Sequence, residues 1–443
     1  MWRPRGAGRT SSWRGDDVSR PWAVSAIATV AALGLVEAGF RVAGVPAFHP
    51  EDLITEVDAF RIVRHRSGLR LHGRPWGVAI TTNRLGFRGR EIATEKPAGT
   101  YRVVALGDSS TFGACVGDDD TFCAQAERIL NGGTAAGGRR FEVVNTGVFG
   151  YGTLQGLRML RRMVLPLKPD CIVVSFAVND STEGGSLRDF LGRRSPDSET
   201  SSPVLVAVRN ALWNHSNFCR WVLRDALKPL WESRLERLRA GGVRAGWVPG
   251  TSGDYRESLA EIVRTARDNG VAVVFLPVPP RLKHTQYPLY EINYAVVNRR
   301  AAFDALEYMK GVIAGADTRE QKSTMWFAVA RLKEGMRDTR GALDAYLTAM
   351  SLSDASVDFR WGAYTFANVM AALAGEERVP LVNVLPEFYR RELTGNPPTL
   401  YADAYHPGPL GHEIIARALA AAIRDLAART GRSGPRKGGM IVP

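Results

Sequence analysis

Short apolar runs and amphipathic stretches alternate along most of this chain, and the alternation sets the expected fold. Residues 103–106 (VVAL) run straight into Gly107-Asp108-Ser109-Ser110, as a strand buried on both faces does where it meets a turn. A helical stretch over 122–130 follows, then apolar runs at 141–144, 171–176, 271–278 and 379–385. Between them, QGLRMLRRMVLP and SLAEIVRTARDNG read as helices, the second amphipathic with a glycine stop. The stretch 411–427 closes the series with its apolar positions on one helical face. Strand and helix repeating in this order predict a mostly parallel sheet covered on both faces.

Two stretches break the repeat. Residues 183–250 open with a loop rich in serine, aspartate and glycine, then place Trp213, Trp221, Trp231 and Trp247 in helical pattern. We expect a helical insertion there, with most tryptophans in packing and the segment as a cap that sets specificity. Residues 302–377 form a second helical insertion, in which ALDAYLTA (342–349) has the small-aromatic-small spacing of one tetratricopeptide helix. About three repeats are needed for an independent solenoid, so this one is expected to lean on the main domain. The core is thereby divided into 99–182, 251–301 and 378–430, with a flexible tail at 431–443.

Near the N-terminus, residues 21–40 are apolar apart from Glu37 and a few small polar residues. About 20 such residues cross a bilayer as a helix. No small-x-small site ends the run, which favours an uncleaved anchor over 21–41 to a signal peptide. Arg3, Arg5, Arg9, Arg14 and Arg20 precede it, so the 1–20 tail is expected in the cytoplasm and the remainder outside. Residues 42–98 then read as a short, strand-rich approach segment.

Composition narrows the function classes. Hydrophobic content of 45% is ordinary for a packed globular protein. The net charge of +13 draws the chain towards anionic surfaces, yet no nucleic-acid fold frames the basic stretches, and no nucleic-acid partner is expected. Cys115, Cys123, Cys171 and Cys219 have no metal-ligand spacing. Cys115 and Cys123 both flank the first helix, and their pairing stays open.

The chemistry begins at Ser109, a small hydroxyl just past a strand's carboxyl end, where sites in open α/β sheets lie. A nucleophilic serine needs a base. Of seven histidines, His406 in DAYHPG fits, with Asp403 three residues before it to fix the tautomer and stabilise the imidazolium. His412, which begins the final helix region, is expected to have a structural or capping role. Oxyanion donors are expected from the backbone N–H groups of Ser109 and Gly150 and the side-chain amide of Asn179.

Taken together, GDSS (107–110), NTGVFG (145–150), AVND (177–180) and DAYHPGPLGH (403–412) resemble the four blocks of the SGNH branch of the GDSL-type hydrolases. The resemblance spans roughly residues 80 to 425 and includes NRLGFRGRE, which often precedes GDS in membrane-anchored members. It implies a three-layer α/β/α flavodoxin-like sandwich with a five-stranded parallel sheet. It also implies acyl-ester chemistry through an acyl-enzyme, with Ser109, Asp403 and His406 as triad, Gly150 and Asn179 at the oxyanion, and neither metal nor cofactor. Ala177 replaces a more usual glycine and Gly408 an asparagine; neither change removes a catalytic group.

The expected activity is hydrolysis of small acyl esters, acetyl among them, on cell-envelope glycans. It would be carried by a single-pass protein of a bacterial inner membrane whose catalytic domain faces the periplasm or exterior. An O-acyltransferase with the same triad is the first alternative, and a non-catalytic carbohydrate-binding or assembly protein the second. The oligomeric state is open.

Overall fold

The computed structural model describes residues 20–45, 54–58, 62–73, 77–132, 139–181, 202–227, 252–278, 280–282, 299–352, 362–395, 398–403 and 405–432. The 1–19 part of the basic tail, the 183–201 loop, Trp231, Trp247 and the 433–443 tail lie outside them. The chain divides into two compact units, residues 1–48 with 207–237, and residues 49–206 with 238–443.

In the larger unit, two small antiparallel sheets come first. β1 (Thr55–Asp58) pairs with β2 (Ile62–His65), and β3 (Arg70–Leu71) with β4 (Ile80–Thr81). The central sheet is parallel: β5 (Thr100–Gly107), β6 (Arg140–Asn145), β7 (Cys171–Ser175) and β8 (Ala272–Phe275), in the spatial order β6-β5-β7-β8. The order reverses at β5, so the chain leaves the sheet in opposite directions on either side of the strand that carries Ser109, a switch point of the kind that opens a crevice.

Alternation along each strand feeds two separate cores. Val103 and Ala105 of β5 cluster with Phe122 and Ala126 of the Phe122–Asn131 helix and with Ile415, Leu419 and Ile423 of the Pro409–Arg432 helix. Val104 and Leu106 cluster instead with Leu157, with Leu259 and Ile262 of the Ser252–Asp268 helix, and with Phe366 and Met370 of the Gly362–Glu376 helix. Both faces of the sheet are thus covered by helices.

The expected fifth strand at 379–385 is reduced to a single parallel bridge between Phe275 and Leu381. Phe275 N–H donates to Pro380 O (2.9 Å), and Val382 N–H to Phe275 O (2.8 Å). Two residues on, the Asn383 side chain accepts from Leu385 N–H (3.2 Å) and the chain turns into the Leu385–Thr394 helix. An asparagine that satisfies a helix-start N–H stops the ladder before it extends.

The Arg319–Gly335 and Thr339–Leu352 helices form a hairpin, with Phe327 edge-on to Tyr346 at 5.2 Å and Ser323 Oγ donating to Ala349 O. Phe327, Ala330, Ala345 and Tyr346 belong to the same core as Phe388 and Leu419. The hairpin carrying ALDAYLTA therefore packs into the same core as the final helix.

The smaller unit contains the Arg20–Ala43 helix, of which Trp22–Ala43 is long and apolar enough to cross a membrane by length and composition. Glu37 accepts from Ser216 Oγ (2.8 Å), Asn217 N–H (3.0 Å) and Phe218 N–H (3.0 Å), holding the start of the Asn217–Trp221 helix. Phe40 packs on Phe218 and Trp221 at 5.6 and 5.4 Å. The described tryptophans of the first insertion are therefore in packing: Trp221 against Phe40, and Trp213 beneath the Arg209 guanidinium at 4.7 Å.

Candidate active site

β5 delivers the first block. Gly107 is its last residue, and a Cβ there would collide with the Thr111 side chain and the Ser175 carbonyl, so only glycine lets the turn fold back on the sheet. Asp108 follows as the N-cap of the Ser109–Phe112 turn, its carboxylate accepting from Ser110 N–H at 2.8 Å. Burial pushes the Asp108 carboxyl up, opposed by the Ser110 N–H and the charge of His406. Ser109 is thereby fixed at the first position beyond the strand.

The last block comes from a loop closed at its neck. Tyr401 bridges Pro407, Ala402 N–H donates to His406 O (2.9 Å), and Gly408 N–H to Leu400 O (2.9 Å). Within the loop, Asp403 Oδ1 accepts from Tyr405 N–H and His406 N–H, both at 2.8 Å, while Oδ2 lies 2.6 Å from His406 Nδ1. His406 Nε2 is 2.8 Å from Ser109 Oγ. Partial burial pushes the Asp403 carboxyl up, but the hydrogen bond and charge of His406 and the two backbone N–H groups outweigh it and hold the group at about 2. The carboxylate stays ionised and keeps the Nδ1 proton on its side, leaving Nε2 to face the serine.

The second and third blocks meet each other. Asn179 Nδ2 donates to Tyr151 O (3.0 Å), and Asp180 Oδ1 accepts from Thr153 N–H (2.9 Å) and Thr153 Oγ1 (2.7 Å). Gly150, in the loop so fastened, has φ 70°, a backbone conformation that favours glycine. Tyr255 OH donates to Phe176 O (2.6 Å), securing the end of β7 just before Asn179.

Other residues around this site act through partners distant in the sequence. His65, at the end of β2, accepts the Phe149 N–H at Nε2 (3.3 Å) and packs against Phe112 (4.3 Å) and Phe149 (5.6 Å). Arg88 of the NRLGFRGRE stretch is buried, bonds Asp118 at 2.5 Å, and donates to Val116 O (2.8 Å) and Gly113 O (3.3 Å). His412 accepts the Phe122 N–H at Nδ1 (3.1 Å), so it serves the start of the Phe122–Asn131 helix rather than the helix it sits in. Cys115 and Cys123 are free thiols, so the pairing left open does not form. Cys115 has a different neighbourhood: its sulfur and ligand atoms of Asp403 and His406 all lie within 4.8 Å of one another.

A hydroxyl, an imidazole and a carboxylate in series at the carboxyl end of a parallel sheet define the serine-hydrolase class. The chain belongs to the GDSL-like lipase/acylhydrolase family, whose model matches residues 105–414. It is accordingly a carboxylic ester hydrolase. Among curated proteins none matches. Among solved structures, the chain is similar to the lipase/acylhydrolase from Enterococcus faecalis, at 16% identity over 76% of this chain and 99% of that one, TM-score 0.34. It is also similar to Axe2, an acetylxylan esterase from Geobacillus stearothermophilus (13% identity, 73% and 94% covered, TM-score 0.35). A third is LAE5, an alpha/beta hydrolase enzyme from the metagenome of Lake Arreo, Spain (17% identity, 73% and 94% covered, TM-score 0.34).

Proposed function

We propose that Ser109 is the nucleophile, His406 the base and Asp403 the group that orients it. The observation that carries this reading is the unbroken series Ser109 Oγ, His406, Asp403 at 2.8 and 2.6 Å. His406 Nε2 takes the serine proton as Oγ attacks the ester carbonyl, and returns it to the departing alcohol. Water then gives its proton to the same nitrogen and releases the acid. The negative oxygen formed in each step is met by the N–H groups of Ser109 and Gly150 and the amide of Asn179. The bond from Asn179 to Tyr151 O supports this, because it ties the amide to the residue beside Gly150.

The substrate we assign is a small acyl ester, acetyl in the first instance, on a glycan of the cell envelope. The Trp22–Ala43 helix supports the location: 22 residues at about 1.5 Å each match a hydrocarbon core of about 30 Å. In this reading the helix is the single-pass anchor in a bacterial inner membrane and the catalytic domain lies outside the cytoplasm. The sheet order and its two-sided helical cover fit the flavodoxin-like three-layer sandwich.

The test is turnover of p-nitrophenyl esters from acetyl to octanoyl by the full chain and by Ser109→Ala. The variant is expected to lose on the order of a millionfold in kcat, and a fluorophosphonate probe to label only the parent. Equal turnover in both proteins removes Ser109 from the mechanism. Product analysis with a glycan acceptor separates the two outcomes of the acyl-enzyme: free acid supports hydrolysis, and acylated glycan supports transfer.

A further inference from the structure

We propose that Cys115, Asp403 and His406 form a binding site for one soft divalent cation, zinc being the fitting case, and that its occupancy switches the esterase off. One thiol, one imidazole and one carboxylate converge with their ligand atoms within 4.8 Å of one another. That mixed set of sulfur, nitrogen and oxygen donors suits zinc, with a fourth position left for water. Bond lengths of about 2.0–2.3 Å place tetrahedral donors about 3.4 Å apart. The Asp403–His406 contact at 2.6 Å is a hydrogen bond, so it must open by a little under ~1 Å as the metal replaces the proton. Both residues sit on one loop, three positions apart, and the Cys115 sulfur, within 4.8 Å of their ligand atoms, must close towards them.

The protons balance simply. Cys115 gives up its thiol proton to solvent on forming the metal–sulfur bond. Neutral His406 exchanges its Nδ1 proton for one on Nε2, with no net change.

Inhibition follows from where the ring proton ends. With Nδ1 bound to the metal, a neutral imidazole carries its hydrogen on Nε2, facing Ser109 Oγ, and has no lone pair to accept the serine proton. If Nε2 is the ligand instead, the 2.8 Å link to Ser109 is lost. Either geometry disables the base. This consequence rests on the assignment of His406 as base; the metal site itself does not.

The experiment uses the full chain and its Cys115→Ser variant, first freed of metal. Zinc chloride is titrated into p-nitrophenyl acetate hydrolysis, and cobalt(II) binding is followed by the thiolate-to-cobalt charge-transfer absorption. The parent is expected to lose at least tenfold in rate with one zinc bound, and to recover with EDTA. Cys115→Ser, with metal-free kcat within twofold of the parent, should need at least tenfold more zinc. The cobalt band should be present in the parent and missing in the variant. Equal zinc sensitivity in the two proteins, or a charge-transfer band that survives the substitution, overturns the site. The band decides even if the chain proves inactive on every ester, so the two readings fail separately.

Discussion

His65 Nε2 receives the backbone N–H of Phe149, the residue immediately before Gly150. A histidine of the approach segment therefore sets the position of the loop assigned to the oxyanion. The ring is buried, with Phe112 and Phe149 against it, so the loop is held by packing as well as by the bond.

His65→Leu keeps the bulk and removes the acceptor. We expect kcat to fall about tenfold to a hundredfold, less than or equal to the loss of a whole oxyanion donor, with KM little changed. His65→Gln supplies an oxygen acceptor and should recover part of the rate. A rise in KM accompanying the fall in kcat, unrelieved by glutamine, would indicate general damage to the fold instead.

Asp403→Asn should leave the fold intact and lower kcat by about 10⁴, since an amide no longer enforces the tautomer that presents Nε2. The carboxyl sits at about 2 in the folded chain against 3.8 in its ordinary state. A lowered pKa contributes stability that is present above pH 3.8 and lost as pH falls towards 2. Denaturant midpoints for Asp403→Asn should therefore lose less than the parent's across that window. Parallel curves would show that the carboxylate does not contribute there.

His412 behaves differently with acid. Burial, then the positive charges of Arg88 and His406, push its imidazole down from 6.5 to about 3. The neutral ring is the folded form, and its Nδ1 must stay unprotonated to accept the Phe122 N–H. Its contribution is full above pH 6.5 and is lost progressively as pH falls from 6.5 towards 3, because the unfolded chain binds the proton first. His412→Gln should be less stable than the parent at pH 7.5, with the gap closing by pH 4.5 in urea unfolding. A gap constant with pH would mean that His412 titrates normally in the folded protein.

The parts of the site that could be read from sequence share one property: each is a short polar block placed next to an apolar strand or loop. Ser109 after VVAL and Asn179 after the 171–176 run are legible because strand ends mark them. His406 and Asp403 are legible because they lie within four residues of each other. His65, Arg88 and Asp180 act through partners 84, 30 and 27 positions away, and nothing local distinguishes RIVRH from any other polar-apolar strand. Cys115 escaped for the same reason, since its neighbours arrive from the 403–406 loop. The VPLVNVL run misled in the other direction. Its apolar pattern suits a strand, but Asn383 satisfies the next helix's N–H and leaves one bridge at Leu381. Local pattern reports what a segment can pair with; it does not report which competitor takes the hydrogen bond.

The contact between Ser109 and His406 closes 297 positions of chain, while acid and base arrive together on one loop. A ribosome making this protein has built Ser109, the sheet edge and both assigned oxyanion segments long before it reaches the residue assigned as base. On the proposed assignment, activity waits for the final loop to dock, so ester turnover is expected to report a chain made past residue 406 and closed on itself.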